Sequence, residues 1–343
     1  MASQESEALK TLYRGWAAAL AANPEMPLDE LRLMFEHWGD VTAEPGGVDY
    51  IETNAGGVPA LWAVPKGCAE DRVLLCMHGG GYVTASMYTH RKVYGHLAKA
   101  IGCRALIPHY RRAPEHVHPA PVDDAVTAYR WLLDQGVEPG HIALTGDSAG
   151  GALAVTTLLR ARERNLPMPA ATMPLSPWVD MEITGETLVS NREKDAIVQR
   201  EVVEVMATTF LGEGGNRRDP LANPLYADLK GLPPVYIQVG GDETLLDDSR
   251  RLAERARKAG VDVRLDVFPE LQHVFHFSAG HAPEADEAIR KLAEWVRPKL
   301  GLVYSDFRRR PPAFSASPSL GRGYGGERVE PAQCRTPPDL PPW

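Results

Sequence analysis

Apolar positions along the chain fall into three regimes. In the first, Leu9, Leu12, Tyr13, Trp16 and Leu20 recur at mostly three- and four-residue spacing, and Leu28, Leu31, Met34, Phe35 and Trp38 do the same. This predicts two amphipathic helices broken near Pro24, with Asp29 and Glu30 early in the second, where carboxylates suit the helix dipole. In the second regime, from 46 to about 302, short apolar runs alternate with helical patterns. Strands are predicted at Val48–Glu52, Ala60–Val64, Val73–Met77, Arg104–His109, Ile142–Thr145, Ala171–Leu175, Val235–Val239 and Val263–Phe268. Helices are predicted near 90–100, 121–134, 149–163, 245–259 and 284–299. Asn54-Ala55-Gly56-Gly57 joins the first two strands as a hairpin. The later alternation implies right-handed crossovers and a largely parallel sheet with helices on both faces, an α/β fold. A stretch at about 178–230, with one helix near 200–211, interrupts the alternation and is expected to build a cap or pocket wall. The third regime, 304–343, holds eight prolines, four glycines and four serines without apolar period, which reads as a disordered tail. Its Gly321-Arg322-Gly323-Tyr324-Gly325-Gly326 run has neither a strand before it nor a helix after it, so the dinucleotide reading fails.

Composition narrows the classes. The 343 residues carry 37 Lys+Arg against 45 Asp+Glu, a net charge of −8, so no basic surplus exists to bind nucleic acid. No apolar run is long enough for a membrane helix, and the N-terminus shows no secretory pattern. The four cysteines (Cys68, Cys76, Cys103 and Cys334) form no C-x-x-C pair. Zinc and redox sites are therefore not indicated, and a cytoplasmic protein with no metal or cofactor is expected.

The strongest chemical signal is Gly146-Asp147-Ser148-Ala149-Gly150, between a predicted strand and a predicted helix. A serine on so sharp a turn needs small neighbours, which Gly146 and Gly150 supply, and it stands at a helix N-terminus that favours developing negative charge. The second is His78-Gly79-Gly80-Gly81-Tyr82, directly after a strand. Consecutive glycines let backbone N–H groups approach a carbonyl oxygen as it becomes an oxyanion; Gly80, Gly81 and Ala149 are the expected donors. His78 and Gly79 are expected to hold that loop. A serine needs a base, and the base a carboxylate. Asp242, after the strand Val235–Val239, is the expected acid, and His273, after the strand Val263–Phe268, the expected base. Asp247, Asp248 and Glu243 could also supply the acid, and His276 the base.

Together these motifs resemble the hormone-sensitive-lipase-like branch of the α/β-hydrolases, the bacterial family IV esterases. His78–Gly81 is similar to its HGGG signature, Gly146–Gly150 to its GDSAG signature, and Tyr110-Arg111-Arg112-Ala113-Pro114-Glu115 to its YRxAPE stretch. Ser176-Pro177-Trp178-Val179-Asp180 and Gly231-Leu232-Pro233-Pro234 are also similar. The resemblance implies a mostly parallel eight-stranded sheet flanked by helices. It also implies an N-terminal helical cap over 1–45, a catalytic domain over 46–302 and no counterpart for the tail 303–343. It carries the triad onto Ser148, Asp242 and His273, although Glu243-Thr244 stand where many relatives have Pro-Leu. The expected activity is hydrolysis of short- to medium-chain esters through an acyl-enzyme. Lactone hydrolysis by the same triad is an alternative, and a non-catalytic binding protein is disfavoured by the presence of His273. The only partners implied are a small ester or lactone substrate and, by analogy, a second copy in a homodimer. Trp16, Phe35, Trp38, Tyr82, Met87, Trp178 and Phe210 could line an apolar pocket, although core packing is the default for such side chains. Activity is expected to fall on acidification as the base protonates, near the ordinary imidazole value of ~6.5.

Overall fold

The computed structural model describes residues 2–302; the predicted tail, with Gly321–Gly326 and Cys334, lies outside the described residues. Two helices, α1 (Glu7–Ala22) and α2 (Leu28–Glu36), open the chain. Trp38 does not continue α2, as its spacing suggests, but sits on a separate 3-10 turn, His37–Val41. The sheet and its helices follow in the order β1 (Val48–Ala55), β2 (Val58–Pro65), β3 (Ala69–Met77), α3 (Met87–Ile101), β4 (Cys103–Pro108), α4 (Ala120–Asp134), β5 (Ile142–Asp147), α5 (Ala149–Glu163) and β6 (Ala171–Leu175). The short α6 (Thr187–Ser190) and α7 (Arg200–Leu211) occupy the predicted interruption. The chain then completes the sheet with β7 (Val235–Gly240), α8 (Leu246–Lys258), β8 (Val263–Phe268) and α9 (Pro283–Val296).

Spatial order is β1-β2-β4-β3-β5-β6-β7-β8. β1, β2 and β4 pair antiparallel; every later pairing is parallel. The hairpin turns on Gly56 and Gly57, both at positive φ (69° and 103°), the backbone that a two-residue connection matched to strand twist demands. β5, β6 and β7 are buried throughout, and β3 is buried from Val73 to Met77, as strands covered on both faces must be. α3 packs with α9, and α4 packs with α5. α3 begins at a capping box, in which Ser86 Oγ accepts from the Tyr88 and Thr89 N–H groups while Thr89 Oγ1 accepts from Ser86 N–H. It ends at Gly102, left-handed at φ 81°. α5 is buried on nearly every face, which its Ala/Gly-rich start permits.

The parallel arrangement brings the carboxyl ends of β3, β5, β6, β7 and β8 to one edge, where their loops meet. Leu144 lies at the middle of this stack with no exposed surface. Leu144→Ala should lower the unfolding free energy by about 2–5 kcal/mol, read by urea denaturation.

Candidate active site

Ser148 joins β5 to α5 at φ 53°, ψ −122°, a region that an L-residue occupies only under constraint from its surroundings. The constraint is backbone packing. A Cβ at Gly146 would overlap the Gly150 carbonyl, and one at Gly150 would overlap the Met77 and His78 carbonyls. Ser148 N–H donates to Leu175 O (2.9 Å), and Ser148 O accepts from Trp178 N–H (3.0 Å), which stitches the turn to β6 and its following loop.

Asp147 lies beneath, buried. It accepts from Tyr94 O–H (2.6 Å) and Gly79 N–H (3.1 Å) and faces His90 Nε2 (3.2 Å). Burial alone would raise its pKa, but His90 and the hydroxyl of Tyr94 outweigh burial and hold it below the usual carboxylate value. One carboxylate thus ties the serine turn to the glycine loop. His78 packs under that loop, its ring stacked on Tyr110 at 4.1 Å and its Nδ1–H on Gly79 O (2.8 Å). Burial lowers its pKa well below normal, so it is a neutral packing group. Gly80 O accepts from Val83 and Thr84 N–H (3.0 and 2.9 Å), closing a tight turn. A Cβ on Gly80 would collide with Thr84, and one on Gly81 with the Met206 sulfur. Arg32 of α2 braces the turn through Nε–H to Val83 O (2.9 Å).

His273 meets Glu243, not Asp242. Its Nδ1–H donates to Glu243 Oε2 at 2.8 Å, with both side chains buried. Glu243 Oε1 accepts from Ser176 Oγ–H (2.6 Å) and Gly240 N–H (2.5 Å). The expectation of Asp242 as the carboxylate is therefore corrected. At the end of β7, Gly241 N–H and Asp242 N–H turn back onto Phe268 O and Leu271 O (2.7 and 3.2 Å). This leaves Asp242 half-buried, its carboxylate without a hydrogen-bond or ion-pair partner among the described residues, while the next side chain points inward. Asp248, Asp247 and His276 are engaged away from the serine. Asp248 accepts from Val179 and Asp180 N–H (2.9 and 3.0 Å), and Asp247 faces Glu186 N–H (3.3 Å). His276 Nε2 pairs with Gln238 Oε1 (2.9 Å), and burial pushes its pKa down to about 3.

Burial alone would lower the pKa of His273. The hydrogen bond and charge of Glu243, with the nearby charges of Asp195 and Asp147, outweigh it and raise the value. Sequence reasoning missed Ser176 and Asp195. Ser176 (φ 44°) bridges Glu243 to Val274 N–H (3.2 Å). Asp195 accepts from Ile197 and Val198 N–H and from Thr244 N–H (3.0, 2.8 and 2.8 Å), fixing the chain beside Glu243. The Ser176–Asp180 run assigns Ser176 no role by itself, and Asp195 carries no local motif.

Ser148, His273, Gly80 and Gly81 all open onto one cavity of about 580 Å³. Its wall comes mainly from α1, α2 and α7 and is largely apolar. Trp16, Phe35, Trp38 and Trp178 line it; Tyr82, Met87 and Phe210 do not. Tyr82 is instead stacked on Phe210 at 3.8 Å.

The family described as the alpha/beta hydrolase fold matches residues 74–277. An acetyl-hydrolase of Streptomyces hygroscopicus is 40% identical over 266 residues, 78% of this chain and 87% of the relative. The crystal structure of an esterase from the bacterial hormone-sensitive lipase family superposes with a TM-score of 0.83 at 45% identity, over 88% of this chain and 100% of that one. The chain belongs to the hormone-sensitive-lipase-like branch of the α/β-hydrolases. An esterase of Acinetobacter venetianus is a more distant relative, 34% identical over 66% of this chain and 75% of its own length.

The pairing is testable without substrate. The His273 Nδ1–H proton should give a strongly downfield NMR resonance that survives Asp242→Asn and disappears in Glu243→Gln. The ring should titrate above ~6.5 in the native protein. In Glu243→Gln it should titrate below that value, because burial persists without the carboxylate.

Proposed function

We propose that the protein is a serine carboxylic-ester hydrolase, with Ser148 as nucleophile, His273 as base and Glu243 as the carboxylate that orients it. The observation that carries this reading is the buried His273–Glu243 pair, opening with Ser148 and the Gly80–Gly81 turn onto one apolar cavity. Ser148 Oγ attacks the ester carbonyl while His273 Nε2 takes its proton, leaving an imidazolium that Glu243 stabilises through Nδ1–H. The N–H groups of Gly80, Gly81 and Ala149 receive the oxyanion; one such donor is typically worth ~3 kcal/mol of barrier. The tetrahedral intermediate collapses, the alcohol leaves with the proton from His273, and an acyl-Ser148 ester remains. Water, deprotonated by His273, attacks that ester and releases the carboxylic acid, restoring the serine.

The substrate class follows from the wall. α1, α2 and the 178–230 segment form the cap, and their apolar side chains suit an uncharged ester with a short or medium acyl chain. Each methylene that becomes buried can add ~0.8 kcal/mol, about fourfold in kcat/KM, until the cavity is filled.

A series of p-nitrophenyl esters from acetate to palmitate should give a kcat/KM that rises, peaks at a short or medium chain and then falls. Ser148→Ala should lose at least about a thousandfold at the peak. The acid limb of the native kcat/KM profile should have its midpoint above ~6.5, since protonating His273 removes the base and its pKa is raised. Activity surviving in Ser148→Ala, or a folded native protein inert on the whole series, would contradict the reading.

A further inference from the structure

The N-terminal segment grips the loop that carries His273 and the start of α9 that follows it. Ala2 N–H donates to Glu270 Oε2 (3.0 Å), and Ser3 donates through N–H and Oγ–H to the Glu284 carboxylate (2.6 and 2.7 Å). Farther along, Thr42 Oγ1–H reaches Phe277 O (2.6 Å) and Ala43 N–H reaches Ala279 O (3.0 Å). At the centre, Tyr13 O–H donates to the backbone carbonyl of His273 itself (2.8 Å). Tyr13 is wholly buried, and its oxygen is oriented by Trp38 Nε1–H (3.0 Å). The Trp38 ring in turn lies stacked on Phe277, 4.7 Å away and 7° from parallel.

The histidine loop needs such anchors. Glu270 and Val274, on either side of His273, both have positive φ (60° and 50°), which is costly for side chains of their size. Three consecutive residues are tied to three different parts of the chain. The Gln272 amide bonds Ala196 N–H and Lys194 O, His273 O accepts from Tyr13 O–H, and Val274 N–H donates to Ser176 Oγ. Side-chain bonding to Glu243 fixes one end of the imidazole, but the ring's origin at Cα is set by these backbone anchors.

We infer that Tyr13 is a positioning residue for His273: its hydroxyl fixes the histidine backbone, so that α1 orients the base as well as walling the cavity. This rests on His273 serving as the base in ester hydrolysis. Displacing a base by about an ångström can cost about a hundredfold, so one backbone anchor among several is expected to matter by about tenfold.

Tyr13→Phe keeps the ring that lines the cavity and removes only the hydroxyl. With p-nitrophenyl butyrate, and with active sites counted by titration, kcat should fall about tenfold while KM stays within about twofold. The acid limb should move to lower pH, because a loosened His273 bonds Glu243 less well and burial then dominates. The groups facing the imidazole (Glu243 after β7, Asp195 before α7, Asp147 at the end of β5 and His276 in the next turn) are unaltered by the substitution. A merely structural role would lower the number of active sites and leave both the kcat per site and the limb unmoved; that result overturns the inference alone. A folded native protein inert on the ester overturns the inference together with the reading beneath it. Should Tyr13→Phe fail to fold, Trp38→Phe decides, since it leaves the hydroxyl in place but unoriented. A severalfold fall in kcat per site supports the inference, and an unchanged kcat overturns it.

Discussion

Ser148 can stand where it does only because three stretches of backbone touch. Gly146 at the end of β5, Gly150 at the start of α5 and the Met77–His78 carbonyls at the end of β3 leave no room for a Cβ between them. That contact holds Ser148 in a left-handed conformation which nothing in its own side chain favours. It also brings the glycine loop after β3 beside the serine turn, where Asp147, the residue before Ser148, bonds Gly79 N–H. Gly79 has the same character, since a Cβ there would overlap the Asp147 carboxylate. The site is thus assembled by close backbone approach first and by charge second.

Charge then discriminates among the histidines. His78, His273 and His276 are all buried, and burial pushes each toward the neutral form. Of these three, only His273 has a carboxylate against its ring, and only there does the balance move the pKa upward. His78 and His276 stay neutral and serve as packing, one stacked on Tyr110 and the other bonded to Gln238. The same amino acid takes two kinds of role according to one neighbour at 2.8 Å.

Much of the architecture was legible in the sequence because it is periodic. The eight apolar runs correspond to the eight strands, and β6 and β8 match to the residue. The position of Ser148 was legible because a glycine-flanked serine between strand and helix has few other uses. The choice between Asp242 and Glu243 was not. The strand rule places a carboxylate just after β7, but adjacent residues in a turn point in opposite directions, and which one faces inward depends on Leu271, Phe268 and Ser176, distant in the chain. Tyr13 was legible as an apolar position of α1, but not its hydroxyl's partner 260 residues away. Tyr82 and Phe210 had the composition of pocket residues and instead pack on each other. Ser176 and Asp195 act from irregular loops, where no period marks them.

The central claim is that one serine, placed by backbone packing and served by the His273–Glu243 pair, is the reacting atom. Its most direct test is stoichiometric reaction with diethyl p-nitrophenyl phosphate followed by peptide mass spectrometry. The account predicts that p-nitrophenolate is released in proportion to intact chains, that the diethylphosphoryl group is recovered on Ser148, and that ester hydrolysis is lost in step. Label on another residue, or full hydrolytic activity in fully labelled protein, would contradict it.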